Sequence, residues 1–476
     1  MAALSHIAVI DIGKTNAKLA LVDLVTLTEI AVVTRPNKIL AGPPWPHFDV
    51  EGHWQFLLAA LAQFHKDHRI DAISITTHGA CVALLAEDGS LAAPILDYEH
   101  AGPSDDNAPY DDIRPSFAQT GSPRLAGGLN VGAQLHWQFK ADPTLRDRTA
   151  HIVTYPQYWG HRLTGVAACD VTSIGCHTDL WSPQVGTLSS LVNDLDIAEK
   201  LAPVRRPTEI LGTILPEVAS RTGLPVSTPV SVGIHDSNAS LYPHILMQKE
   251  PFSVVSTGTW VIAMSVGGAN LDLDMDRDTL INVNARGEPV RSARFMGGRE
   301  YEIVLDGQAV AASDEDIEQA LSKQLMLLPA VEPNTGPFQG RVMTWVGEEP
   351  AVGTGLRTVV LSLYLALMTG TCLRLSGAYG PVIVEGPFAR NTVFLTMLAA
   401  ATGRDILRCK SATGTSIGAA LLFGSGDELE HPELFNSTSS NRSWEAYAAC
   451  WQLKSVKVVL TSSEAGAFFY KTKARK

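Results

Sequence analysis

The sequence is poor in cysteine and carries no surplus of positive charge. Only six cysteines occur in 476 residues, and no pair has the two-residue spacing of a zinc knuckle. A dense extracellular disulfide framework is also excluded, so buried thiols are the expectation. Thirty-seven basic against 49 acidic side chains leave a net charge of −12. That balance argues against a nucleic-acid or anionic-membrane partner, because nothing neutralises their phosphates. No Gly-x-x-x-x-Gly-Lys-Ser/Thr loop and no Gly-x-Gly-x-x-Gly opening a helix is present, so the P-loop and dinucleotide routes fit poorly. The opening Met1 to His6 lacks a basic segment and a cleavage site, and a cytoplasmic location is expected. The longest uncharged apolar stretch, between Arg357 and Arg374, contains Ser362, Tyr364, Thr369 and Gly370; it reads as a buried helix rather than a bilayer span.

What is present is an ordinary folded composition, 45% hydrophobic and 18% charged, at a length that suits two large domains. The expected division is 1–247 and 248–476. His6 to Ile10, Leu19 to Asp23 and Glu29 to Thr34 read as strands too closely spaced for crossover helices, hence a meander. Trp54 to His65 has helical spacing, and Ile70 to Thr77 is an apolar strand. Val82 to Ala86, followed by Glu87-Asp-Gly89, suggests a hairpin. Helices are expected at Ala133 to Phe139, Gln157 to Arg162, Asp314 to Leu328 and Val393 to Ala401. The pattern of strand, hydroxyl/Gly turn and strand at residue 6 recurs at residue 253. Either chance recurrence or two domains of like core topology accounts for it.

Asp11-Ile-Gly-Lys-Thr-Asn-Ala-Lys18 is the most informative stretch. Asp11 ends a buried strand, Gly13 permits close backbone approach, Thr15 supplies a hydroxyl, and Lys14 and Lys18 bring positive charge. Such a turn can hold nucleotide phosphates while the carboxylate orients Mg²⁺; an Asp-Gly-containing surface turn explains the same residues. Asp236 follows the strand Val230 to Ile234 and is placed either to take a proton from an alcohol or to cap the helix beginning near Asn238. Ser256-Thr257-Gly258-Thr259 offers a second, uncharged cradle. Gly386 to Asn391, with Gly414 in a later turn, sits where a nucleoside could pack. His78-Gly79 at a strand end suits a polar ligand pocket, as do Glu99 and His235. Trp137, Tyr158, Trp159 and Trp181 are read as core or interface rings.

These segments resemble, in order and over about residues 6 to 424, the FGGY family of carbohydrate kinases, relatives of actin, hexokinase and the Hsp70 ATPase. Asp11 to Lys18 is similar to that family's first phosphate motif and Thr77-His-Gly79 to its sugar-side segment. Tyr158-Trp-Gly-His-Arg-Leu-Thr-Gly165 is similar to its Tyr-Leu-x-x-x-Leu-Thr-Gly run. Gly233-Ile-His-Asp-Ser-Asn-Ala-Ser240 resembles the catalytic segment, Ser256 to Thr259 the second phosphate motif, and Val384 to Asn391 with the Thr413 to Gly418 turn the adenosine side. The chain departs from the pattern at Glu385-Gly386, at Tyr98-Glu99-His100 and at Gln157. Phe295-Met-Gly-Gly-Arg-Glu-Tyr301 is closer to the rhamnulose and fuculose kinase branch.

The resemblance implies two ribonuclease-H-like α/β domains with a cleft between them. It implies ATP and Mg²⁺, with Asp236 as general base and Asp11 and Asp236 as the metal-side carboxylates. His78, Gly79, Glu99 and His235 would face the sugar. Gly13, Lys14, Thr15, Asn16, Lys18, Thr257, Gly258, Thr259, Gly386, Asn391 and Gly414 would face the nucleotide. The implied reaction is phosphorylation of a ketose such as L-rhamnulose or L-fuculose on a primary hydroxyl. Kinases of ribulose, xylulose or glycerol, and a noncatalytic sugar- or nucleotide-binding protein, are the rivals. A small-molecule sugar is the expected partner, and a homodimer is the assembly allowed for.

Overall fold

The computed structural model describes residues 4–105, 107–409, 414–436 and 442–469; the expected frayed tail at Lys471 to Lys476 and the start of the Thr413 turn lie outside them. The chain divides into two units, 1–249 with 280–290 and 413–430, and 250–279 with 291–412 and 431–476. A single cut after residue 247 therefore gives way to a division in which two later segments return to the first unit. Nothing in their local composition signals the return.

In the first unit, β1 (His6–Ile12), β2 (Asn16–Asp23) and β3 (Thr28–Pro36) form the expected meander. Helix α1 (Val50–His68) buries Trp54, Leu57, Leu58, Leu61 and Phe64, the residues whose spacing marks one face. It leads into β4 (Ala72–Thr77), fully buried and parallel to β1, so that Asp11 lies beside Thr76 and Ile12 beside Thr77. Helix α2 (Tyr155–Thr164) follows. The strands β5 (Ile210–Thr213), β6 (Pro229–Ser231) and β7 (Ile234–His235) complete a sheet ordered β5-β6-β4-β1-β2-β3, with β7 also paired to β4. The carboxyl ends of β1, β4 and β7 thus bring Asp11, His78 and Asp236 to one sheet edge, where open α/β sheets bind ligands. Helix α3 (Asp236–Met247) starts directly from β7.

The second unit repeats the scheme. Strands β8 (Phe252–Thr257) and β9 (Val261–Val266) are an antiparallel hairpin, β10 (Pro289–Phe295) extends it, and after helices α4 (Gly297–Leu305) and α5 (Gly355–Leu375) strand β11 (Val382–Glu385) lies parallel to β8. Helix α6 (Thr392–Thr402), β12 (Ile406–Arg408) and helix α7 (Arg442–Phe469) follow. Hairpin plus parallel strand is the shared core, which makes the recurrence at residues 6 and 253 topological rather than accidental. The apolar stretch after Arg357 is α5, whose most apolar window is 94% buried. None of the six cysteines forms a disulfide, and Cys81, Cys169, Cys176 and Cys372 are buried.

One expectation holds in part and one fails. The chain turns back at Glu87-Asp-Gly89, closed by Ala86 N–H on Ser90 C=O at 2.8 Å, Gly89 N–H on Ala86 C=O at 2.9 Å and Ala92 N–H on Leu84 C=O at 2.8 Å, but the ladder partner of Val82–Leu85 is His151–Thr154. The helix expected to run to Leu328 stops at Ser322, because Gln324 takes φ 50°, and Met326–Leu328 becomes a strand. A short apolar run fits either state, and the left-handed residue decides between them.

Candidate functional site

Asp11, the penultimate residue of β1, lies directly across the hairpin from Lys18, whose Nζ lies 3.2 Å from its carboxylate and 3.3 Å from Glu29. Thr415, opening the short helix Thr415–Ala420 of the same unit, donates its hydroxyl to Asp11 at 2.7 Å. The turn between β1 and β2 is closed by Gly13 N–H donating to Asn16 C=O at 2.9 Å and braced by the Asn37 amide on Gly13 C=O at 2.8 Å. Thr15 and Asn16 are exposed at its tip, where their N–H groups are available to an anion.

Lys14 leaves this turn in a different direction from the one expected. It pairs with Asp97 and, at 3.1 Å, with Glu99, and its ammonium sits 4.5 Å from the Tyr98 ring centroid and 5.4 Å from that of Phe48. Phe48 and Tyr98 are also the rings packed against His78, so Lys14 belongs with the group around His78 rather than with the tip of the turn. Glu99, expected to read hydroxyls, is 63% exposed and held by this lysine.

His78 is boxed by the rings of Phe48, Tyr98 and Tyr155 at 5.2, 5.3 and 5.0 Å. Burial pushes its pKa down to about 4, so the ring is neutral. Its Nδ1 faces the Gly79 carbonyl at 2.8 Å and must donate there, which leaves Nε2 as a buried acceptor with no partner among the described residues. Gly79 fits because a Cβ there would lie 2.6 Å from His235 Nε2. His235 is itself buried and neutral, with a pKa lowered to about 4 by desolvation. Its Nε2 points at Asp236 Oδ1, 3.2 Å away, and at Cys176 Sγ, 3.9 Å away.

Asp236 is not the N-cap of α3. His235 holds that position, and Asp236 is the first helical residue, accepting from Ser237 N–H at 2.6 Å. Its side chain keeps 32% of its surface open. Even so, desolvation raises its pKa to about 6, with the Asp11 carboxylate pushing the same way and His78 and the Ser237 N–H partly offsetting it. Asp170 is fully enclosed and raised by burial to about 6, but it caps the short helix Val171–Ile174 and reads as structural.

In the second unit Thr257 has its hydroxyl engaged, donating to Glu385 C=O at 2.5 Å and accepting from Phe388 N–H at 3.1 Å. Gly386 has φ +82°, and a Cβ there would lie 2.0 Å from Thr257 C=O, so only glycine fits. Gly258 N–H closes the β8–β9 turn onto Trp260 C=O, and Thr259 stands exposed beside a pocket of about 420 Å³. Gly298, Arg299 and Tyr301 at the start of α4 line this pocket, with Phe388 and Asn391. Asn391 caps α6 through Phe394 N–H and bonds Ser362, so its side chain is occupied structurally. Gly414, expected on the adenosine side, falls in the first unit as N-cap of the helix that carries Thr415.

Sequence reasoning missed Asp97, Thr415 and the α4 residues Gly298, Arg299 and Tyr301. For the last three a signal existed, since Gly297-Gly298 opens a helix directly after a strand. Thr415 lies in the Thr413 to Gly418 turn read as adenosine-side, and nothing local signalled its pairing with Asp11, 404 residues away.

Residues 6–242 match the model of the N-terminal domain of the FGGY family of carbohydrate kinases, and residues 249–432 that of its C-terminal domain. A solved carbohydrate kinase from Novosphingobium aromaticivorans is 33% identical, with a TM-score of 0.87, covering 96% of this chain and 99% of that one. The xylulose kinase of Lactobacillus acidophilus superposes with a TM-score of 0.75 at 14% identity, over 98% of this chain and 100% of that one, a likeness of fold. L-fuculokinase of Escherichia coli K12 is 26% identical over 280 residues, 56% of this chain; the matched stretch spans 58% of that relative's length.

Proposed function

The chain belongs to the FGGY family of carbohydrate kinases, with the two actin- and hexokinase-like domains of that family, and on this premise we propose that it transfers the γ-phosphoryl group of ATP to a primary hydroxyl of a sugar. The observation that carries the reading is Asp236, a carboxylate raised to about 6 at the start of α3, beside Asp11 and the neutral His78. Asp236 takes the proton of the attacking hydroxyl, the sugar oxygen bonds to the γ-phosphorus, and the bond from that phosphorus to the β–γ bridging oxygen breaks to release ADP. The buried Nε2 of His78 accepts from a second sugar hydroxyl, which supplies the donor this nitrogen lacks. The exposed Thr15 and Asn16 and, in the second unit, Gly258 and Thr259 serve phosphates, and Tyr301 and Phe388 offer aromatic faces to adenine.

Asp11 and Asp236 form an all-oxygen donor set of the kind Mg²⁺ prefers, and the mutual repulsion that helps raise Asp236 is what a divalent cation would relieve. Bound there with ATP, Mg²⁺ would neutralise phosphate charge; Lys18 and Thr415 hold Asp11 in place.

The substrate we favour is a ketose near L-fuculose or L-rhamnulose, supported by the partial similarity to L-fuculokinase and by the Phe295 to Tyr301 segment. The test is ADP release across L-fuculose, L-rhamnulose, L-ribulose, D-xylulose, D-ribulose and glycerol, with the phosphate position read by phosphorus–proton NMR. Glycerol or D-xylulose winning by more than tenfold in kcat/KM overturns the ketose assignment. No ADP release from any carbohydrate overturns the kinase.

The pH dependence follows from the same carboxylate. Asp236 must be ionised to act, so kcat/KM falls with decreasing pH about a midpoint near 6, with a slope of one. The neutral imidazoles add nothing to that limb, since both titrate near 4. A profile flat down to pH 5 would remove Asp236 from the role of base.

A further inference from the structure

The second unit holds a recess of about 320 Å³ that shares no lining residue with the pocket beside Thr259. Its walls come from three places far apart in sequence. Arg277 belongs to the 3₁₀ turn Met275–Arg277, Thr371 and Arg374 to the last turns of α5, and Trp451 and Ser455 to α7. Phe338 lies between them, packed edge-on to Trp451 at 5.9 Å.

The charge in this recess is of one sign. The Arg277 and Arg341 guanidinium carbons sit 5.7 and 4.7 Å from the Phe338 ring centroid, so two cations converge on one ring, and Arg374 lies at the rim. Their bonds go to neutral groups. Arg277 Nε donates to Pro337 C=O at 3.0 Å, Arg374 to the Thr371 hydroxyl at 2.9 Å, and Arg341 to Ser455 C=O. Among the described residues no carboxylate pairs with any of the three. Asp278, next in sequence to Arg277, is turned away onto Arg294 at 3.0 Å and Gly336 N–H. Burial and the charge of Arg277 hold both Arg341 and Arg374 below the ordinary guanidinium pKa, as befits like charges without a counter-ion. A protein of net charge −12 has acids enough to pair them; none is placed here.

A second observation points to a ligand. Ser455 is 1% exposed, lines the recess, and has a hydroxyl with no hydrogen-bond partner among the described residues. A buried unpaired hydroxyl costs about 1–3 kcal/mol, and a bound acceptor would satisfy it. Stacking of arginine on Phe338 explains why two of the guanidiniums sit where they do, but it accounts neither for the missing acid nor for the orphaned serine.

We propose that this recess is a binding site for a small phosphate ester, its phosphate held by Arg277, Arg374 and the Ser455 hydroxyl and its apolar or ring portion set against Leu375 and the open edge of Phe338. Planar guanidinium forks match phosphate oxygens, and the volume admits one phosphorylated ring. The site is independent of the sugar and nucleotide assignments above.

The test is calorimetric titration of phenyl phosphate, with inorganic phosphate and phenol as the partial ligands, into the full chain with its nucleotide site saturated by ADP. Saturation separates this site from any phosphate subsite of the kinase. Phenyl phosphate is expected to bind with one-to-one stoichiometry and more tightly than either fragment. Arg277→Gln/Arg374→Gln should weaken it at least tenfold while leaving ADP affinity unchanged, and Ser455→Ala should weaken it several-fold. Because Arg277 is half-buried, Arg374→Gln alone serves as the second variant; Arg374 is exposed overall and its bond is to the Thr371 hydroxyl one turn back on the same helix, so its loss is expected to cost the fold little. No heat at millimolar phenyl phosphate, or equal affinity in wild type and Arg374→Gln, overturns the proposal.

Discussion

Asp236→Asn should lower kcat by about 10²–10⁴ at saturating sugar and ATP, the scale on which a positioned base is lost. The amide is isosteric and still accepts from Ser237 N–H, so α3 keeps its start and the sugar keeps its pocket; KM for the sugar is expected to change little. Stability moves in the opposite direction. The folded pKa of about 6 stands above the ordinary 3.8, so the folded state binds the proton more tightly than the unfolded chain does. The associated stabilisation is complete below pH 3.8 and is lost as pH rises through 6. At pH 8 the wild type therefore carries a disfavoured charge that Asn lacks, and the variant should melt no lower than wild type, with the gap narrowing on acidification. A melting temperature lowered at pH 8 with turnover unchanged would make Asp236 a helix-start residue and nothing more.

Part of this site was legible because the signals are local. A carboxylate ending an apolar strand, followed by glycine and hydroxyl residues, marks Asp11 and its turn. A strand running into His-Asp and then a helix marks Asp236. The meander and α1 follow from period and spacing, which a chain carries within a few residues. What was not legible depends on distance. Lys14 could leave its turn toward the phosphates or toward the sugar-side segment, and the choice is made by Asp97, 83 residues on. Thr415 reaches Asp11 only because 413–430 returns to the first unit. Gly414 looked like a nucleotide turn for the same reason that it is a good helix start. Val82–Leu85 turns back at Glu87-Asp-Gly89 as its composition suggests, but its ladder partner at His151–Thr154 lies beyond a long excursion. Side chains with two local options are settled by contacts that no window of sequence contains.

Gly79→Ala should cost about tenfold to a hundredfold in kcat, although residue 79 has no reacting group of its own. An added Cβ would lie 2.6 Å from His235 Nε2 and 2.9 Å from its Cδ2, closer than carbon can approach either atom. Gly79 does not occupy a left-handed conformation, so alanine is acceptable to the backbone and the whole effect is collision with the ring. The ring has little room to retreat, being 4% exposed and set between Cys176 Sγ at 3.9 Å and Asp236 at 3.2 Å. It must tilt, and Nε2 is the atom struck. Asp236 then loses the imidazole neighbour that sits 3.2 Å from its Oδ1, and a base misplaced by about 1 Å forfeits about 10² in rate. Overpacking of this kind also destabilises by about 1–3 kcal/mol, so the melting temperature should fall together with kcat, in contrast to Asp236→Asn. The double variant Gly79→Ala/His235→Ala separates the two causes. With the ring removed the three nearest contacts of the methyl group are gone, so the stability loss from Gly79→Ala should largely vanish in the His235→Ala background, a coupling between neighbours that a thermodynamic cycle measures directly. Additive losses in that cycle, or wild-type turnover in Gly79→Ala, would show that His235 does not position Asp236.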